Sequence, residues 1–403
     1  MMDFKLPYNK EHFINFLRSF LPEDTKFSSD IYLVDETFKK FNSVKSLCQC
    51  KSLNDIKIIE IEHNVTEDSR VTLTREIFRF LSKHIIRNAL IITFNKNEGL
   101  YRFSLIVSTI EWKNETSTKK FFSNPRRLSF LLGPNAKIHT PNNQLKTLGQ
   151  IKNFEDLKER FNIEIVSEEF YDKYKTLYFK LEKYFTEDDK FNKFAKKNKI
   201  NKSLLSKKLL GQITFSYFIQ KKGWLGAKKN EEFFKGSKNF LREKFELVDK
   251  CKKNYFNDFL EYLFYDGFNN EEYISDFYNK HLECKVPFLN GGLFEPINNY
   301  DWKVEAINIP NTMFSNENGD GILDVFDLFN FTVDENQTLD TDLAIDPEML
   351  GKVYERLIDE ALKKKYRPFY THREVVNYMC TISLIKFLLN KFGDKLNFEE
   401  IEQ

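Results

Sequence analysis

Helical spacing governs the start of the chain: His12, Phe13, Phe16, Leu17 and Phe20 share one helix face, and Pro22 stops the run. Segments 29–34 (SDIYLV), 56–61 (IKIIEI), 89–94 (ALIITF) and 102–107 (RFSLIV) are short and rich in β-branched residues, which predicts strands. Between the second and third, Leu73, Ile77, Phe80 and Leu81 predict a helix over 72–84. The resulting order of helix, strand, strand, helix, strand, strand describes a mixed α/β unit. Segment 123–141 holds three of the ten prolines and reads as extended or loop structure, followed by a short helix over 154–161. From 168 to about 278 the pattern turns to amphipathic helical blocks without proline, as in a bundle or spacer. A glycine-centred turn is expected over 287–296 (PFLNGGLFEP). Asp346 as cap and Pro347 at the first position open a helix over 346–360, and a last helix is expected over 373–389. The fold class expected is α+β, with an N-terminal mixed α/β domain followed by a mainly helical region.

Composition narrows the class. The 403 residues are 41% hydrophobic and 30% charged, which excludes a mainly disordered or membrane-embedded chain. No apolar run approaches the ~18 residues of a spanning helix, and MMDFKLPYNK contains no apolar leader. A soluble, cytoplasmic protein with no membrane partner is therefore expected. Five cysteines, an odd and thinly spread set, fit reduced thiols; Cys48 and Cys50 have no second Cys/His pair to close a zinc site. A net charge of +2 argues against a uniformly basic nucleic-acid binder, although 190–208 carries eight lysines. Neither a P-loop nor a Gly-x-Ser-x-Gly elbow occurs, so a P-loop NTPase and an α/β-hydrolase are not expected.

The candidate chemistry lies in Glu60-Ile61-Glu62-His63. Strand alternation puts Glu60 and Glu62 on one face, and paired carboxylates suit a divalent cation that takes oxygen ligands. Asp30, at the start of the preceding predicted strand, is the candidate third ligand. Glu60, Glu62 and Asp30 are thus expected to bind Mg²⁺ and promote phosphodiester hydrolysis. The arrangement resembles PD-(D/E)xK nucleases, with Glu62 standing at the usual lysine position. Arg75 and Arg79, four apart on the predicted helix with Arg70 before them, and the loop Asn124-Pro125-Arg126-Arg127 are candidate phosphate contacts. Asn316 to Asp327 superficially matches a calcium loop but is expected to be a turn.

Further segments, taken together, resemble fused type IIG restriction–modification enzymes. Leu209-Leu210-Gly211-Gln212, continuing through Phe215, Tyr217, Phe218, Gln220, Lys221, Lys222, Gly223, Trp224 and Leu225, is similar to a spacer helix of that family. Pro287-Phe288-Leu289-Asn290-Gly291-Gly292-Leu293-Phe294 resembles a second spacer marker. Phe331-Thr332-Val333-Asp334-Glu335 and Asp346-Pro347-Glu348-Met349-Leu350-Gly351-Lys352-Val353-Tyr354-Glu355 resemble the connector. Phe369-Tyr370-Thr371 with Arg373-Glu374-Val375-Val376 resembles the opening motif of the adenine-N6 DNA methyltransferase domain, with His372 where proline is usual.

The resemblance implies a nuclease-like domain over 1–167, a helical spacer over 168–285, a connector over 286–365 and the first helix of an incomplete methyltransferase over 366–403. It implies double-stranded DNA as partner, and gives Tyr370 and Thr371 a role in binding S-adenosylmethionine. No two prolines are adjacent and Gly393 is the sole glycine beyond Thr371, so the family's glycine-rich loop and Asn-Pro-Pro segment are missing. The expectation is the amino-terminal portion of such an enzyme, truncated or completed by a second chain that supplies the methyltransferase domain, and unable to methylate or to bind S-adenosylmethionine alone. The competing expectation is a non-catalytic DNA-binding or assembly module, or a decayed remnant.

Overall fold

The computed structural model describes residues 2–28, 30–34, 36–65, 70–111, 121–271, 277–289, 291–298, 300–333, 340–357 and 373–392. The chain divides into two compact units, Met1–Pro347 and Glu348–Gln403.

The first unit is built on a mixed eight-stranded sheet. Helix α1 (Lys10–Phe20) is capped by Asn9, whose side chain accepts from the His12 amide, and buries Phe13, Phe16, Leu17 and Phe20. Two short strands, β1 (Lys26–Phe27) and β2 (Ile31–Tyr32), both pair antiparallel with β3 (Phe41–Cys50). Next come β4 (Ile56–His63), helix α2 (Arg70–Lys83) and β5 (Asn88–Phe94). Strands β4 and β5 run parallel, and α2 supplies the crossover that parallel neighbours need. Strands β6 (Tyr101–Glu111) and β7 (Phe121–Leu132) continue the sheet antiparallel.

Period-2 alternation divides the sheet into two faces. Val44, Ile59, Ile61, Ala89, Ile91 and Ile106 pack under Leu73, Ile77 and Phe80 of α2. On the other face Phe103 meets Phe13, Phe16 and Phe20 of α1.

Strands β3 and β7 depart from the sequence reading, as does β10 below. Strand β3 was not expected, because pairing irregularities between Phe41 and Ser43 and between Ser46 and Cys48 break its alternation. Ser46, Leu47 and Cys48 are consequently all buried in succession, and Cys48 and Cys50 are strand thiols. Strand β7 replaces the expected loop around Asn124-Pro125-Arg126-Arg127. Val107 pairs with Arg126 and Thr109 with Ser123, so Asn124 and Pro125 face one residue of β6. That is a β-bulge, where a residue lacking an amide hydrogen fits.

The mainly helical region follows, after helix α3 (His139–Asn142) and helix α4 (Phe154–Arg160). It comprises α5 (Ile163–Glu187), α6 (Asp189–Lys197), α7 (Lys202–Lys221) and α8 (Phe240–Lys250), then π-helical turns Phe256–Leu260 and Tyr262–Gly267. A small hairpin, β8 (Tyr278–Asn279) with β9 (Cys284–Lys285), begins where the expected helical run ends. Helix α7 is its core, buried almost continuously from Leu205 to Gln220. Gln212 donates to the Leu293 carbonyl at 2.8 Å and Phe215 packs on Phe294, so two of the segments that carry the family resemblance touch each other. Helix α9 (Ile322–Phe326) precedes β10 (Asp340–Asp342), a strand absent from the sequence reading that adds parallel to β7.

Helix α10 (Pro347–Arg356) and helix α11 (Arg373–Phe392) belong to the second unit from Glu348 onward.

Candidate active site

Strand β4 directs Ile59 and Ile61 into the core under α2, which sends Glu60 and Glu62 to the α1 face. Glu60 is 3% exposed. Its Oε2 accepts a 2.5 Å hydrogen bond from the Tyr8 hydroxyl, and its Oε1 lies 3.9 Å from Lys45 Nζ. Lys45 stands directly opposite Glu60 in the β3–β4 register. Glu62 binds Lys96 Nζ at 2.8 Å, with Asn42 Nδ2 and Ser43 Oγ at 3.5 Å. The hydrogen bond from Lys96 holds the Glu62 carboxyl below the usual range, against the opposing effect of its partial burial. Tyr8 is wedged against Phe94, Tyr101 and Phe13, and burial followed by the Glu60 charge pushes its phenol pKa up.

Asp30 does not join this pair. It is exposed beyond β3, where its carbonyl accepts from the Ser46 amide at 2.8 Å. Tyr32, two residues on, packs against Phe80 of α2 and His84 just past its end, on the sheet face away from Glu60. Among the described residues, no group of three or more His, Cys, Asp or Glu converges as a metal cage. Two carboxylates remain an adequate protein contribution for Mg²⁺, which keeps several waters and takes oxygen ligands from substrate phosphate. Tyr370 and Thr371 lie outside the described residues.

The opposite face holds a second polar cluster, which sequence reasoning missed. Arg127 is fully buried; its Nε donates to Ser104 Oγ at 3.0 Å, Nη1 to Thr74 Oγ1 at 3.1 Å and Nη2 to Thr93 Oγ1 at 2.8 Å. The Thr74 hydroxyl donates to Asp340 of β10, and Arg102 is bound to Asp342. His63 completes the group, its pKa lowered to about 4 by burial and then by the charges of Arg127 and Arg102. Arg127 therefore organises the interior and is not the loop phosphate contact that the sequence suggested. The retrospective signal was a run of Thr93, Arg102, Ser104, Arg127 and Ser129 at inward positions of strands too apolar to be surface elements.

The remaining candidates separate cleanly. Arg75 and Arg79 lie exposed on α2. Asp324 and Asp327 do not form a calcium loop, because both carboxylates are bound by Arg242 at 3.0 and 2.7 Å. No helix among the described residues is long and apolar enough to cross a membrane. Comparison with protein-family models, with curated proteins and with solved structures finds no match.

Proposed function

We propose that the chain is the amino-terminal portion of a type IIG restriction–modification enzyme and that its sheet is a Mg²⁺-dependent nuclease module acting on double-stranded DNA. The observation that carries this reading is the pair Glu60 and Glu62 on one face of β4, flanked by Lys45 and Lys96, on the strand that precedes the α2 crossover to a parallel neighbour. Glu60 and Glu62 would hold the cation, which when bound supplies Lewis-acid polarisation of the phosphate and a water of lowered pKa. Lys45 puts a positive charge beside Glu60 from the adjacent strand, offsetting the placement of Glu62 where the resemblance expects lysine. Lys96, whose side chain is 70% exposed, can leave Glu62 to meet a backbone phosphate.

The motifs that resemble the spacer and connector support the same assignment, and methylation is left to a second chain or segment bearing the glycine-rich loop. The test is cleavage of supercoiled plasmid DNA by the purified protein with Mg²⁺. Cleavage that persists undiminished in Glu60→Gln removes Glu60 from the site.

The burial of Glu60 favours a second reading, a non-catalytic DNA-binding module in which the carboxylates only fasten the N-terminal segment to the sheet. It predicts DNA binding that weakens steeply with salt, with no cleavage in Mg²⁺.

A further inference from the structure

Glu60 presents two chemically different oxygens. Oε2 faces inward to the Tyr8 hydroxyl at 2.5 Å, whereas Oε1 faces Lys45 across the strand pair at 3.9 Å, toward a side chain that is 35% exposed. The phenol has little freedom. Its ring centroid lies 4.5 Å from that of Phe94, 5.5 Å from Tyr101 and 5.8 Å from Phe13. The next residue, Asn9, is the N-cap of α1, which fixes where the chain enters the helix. A buried carboxylate oxygen needs a donor, and Tyr8 is the residue that provides it here.

We infer that Tyr8 is a positioning residue for Glu60. By holding the inner oxygen, it directs the outer one toward the Lys45 side, where a divalent cation and a DNA phosphate would be received. This rests on the reading of Glu60 as a metal ligand. It adds that the segment ahead of α1, absent from the sequence-based site, sets the geometry of that ligand. A partner that orients a ligand in this way governs metal affinity and turnover more than substrate affinity.

The experiment is single-turnover cleavage of duplex DNA by the full chain, titrated with Mg²⁺, for the wild type, Tyr8→Phe, Glu60→Gln and the double variant. Tyr8→Phe keeps the ring and its packing, and thermal unfolding verifies that the fold survives. The expected result for Tyr8→Phe is a cleavage rate lower by about tenfold or more and a higher Mg²⁺ half-saturation, with the KM for DNA unchanged. In the Glu60→Gln background the same change adds no further loss. A Tyr8→Phe variant with wild-type rate and Mg²⁺ dependence overturns the role of Tyr8 while leaving Glu60 in place. A wild-type protein that does not cleave DNA at any Mg²⁺ concentration overturns both.

Discussion

Thr74 of α2 donates a 3.0 Å hydrogen bond to Asp340, a residue 266 positions further along the chain. The same carboxylate-bearing strand, β10, pairs with β7 and brings Asp342 to Arg102. The N-terminal sheet is thus completed by a segment that follows the entire helical region. Residues 1–167 expressed alone would leave the β7 edge uncovered and strip Arg102 of its carboxylate. We expect that fragment to lack a cooperative thermal transition, and residues 1–347 to show one, as read by circular dichroism.

Within the whole chain the same contact can be tested singly. Arg102 and Asp342 are 12% and 11% exposed, so removing one partner strands a largely buried charge. Asp342→Ala should cost about 3 kcal/mol of stability. A change below about 0.5 kcal/mol, the range of ordinary surface substitutions, would show that the pair is not structural.

Gly223 ends the α7 segment at φ +73°, and a Cβ there would lie 2.3 Å from the Phe234 carbonyl oxygen. Both the left-handed backbone and the close approach require glycine. Gly223→Ala should lower stability by about 2 kcal/mol or more, measured by denaturant unfolding. An unchanged midpoint would contradict this packing.

A buried carboxyl and a half-buried imidazole give opposite pH dependences. Burial pushes the Glu261 carboxyl up to about 7, against the hydrogen bonds from Tyr300 and Asn257 that favour its charged form. Its contribution to stability is full below the ordinary carboxyl pKa and is lost as pH rises through about 7. His63 is held down at about 4, so its contribution is full above the ordinary imidazole pKa of 6.5 and is lost as pH falls through about 4. Melting temperature against pH should therefore decline on both sides, and Glu261→Gln should flatten the alkaline limb alone. An alkaline limb unchanged in that variant would remove Glu261 as its cause.

The helices and apolar strands were legible in the sequence because burial on one side imposes a period. Phe13, Phe16, Leu17 and Phe20 mark α1, and Leu73, Ile77 and Phe80 mark α2, both with boundaries within about two residues. Strand β3 was hidden by its irregular pairing, β7 by a proline held in a bulge, and β10 (Asp-Thr-Asp) because its burial depends on partners distant in sequence. The pairing of Glu60 with Glu62 followed from alternation within one strand. The positions of Tyr8, Lys45 and Lys96, and the separation of Asp30 from the pair, depend on strand register and on the path of the N-terminal segment, which no local pattern encodes.

The assignment of Glu60 and Glu62 as a cation site is tested most directly by calorimetric titration of the full chain with Mn²⁺ as a probe for Mg²⁺. The account predicts saturable binding that is lost in the Glu60→Gln, Glu62→Gln double variant while its melting temperature stays within a few degrees of the wild type. Binding of equal affinity and stoichiometry in the double variant, or none in the wild type, would contradict it.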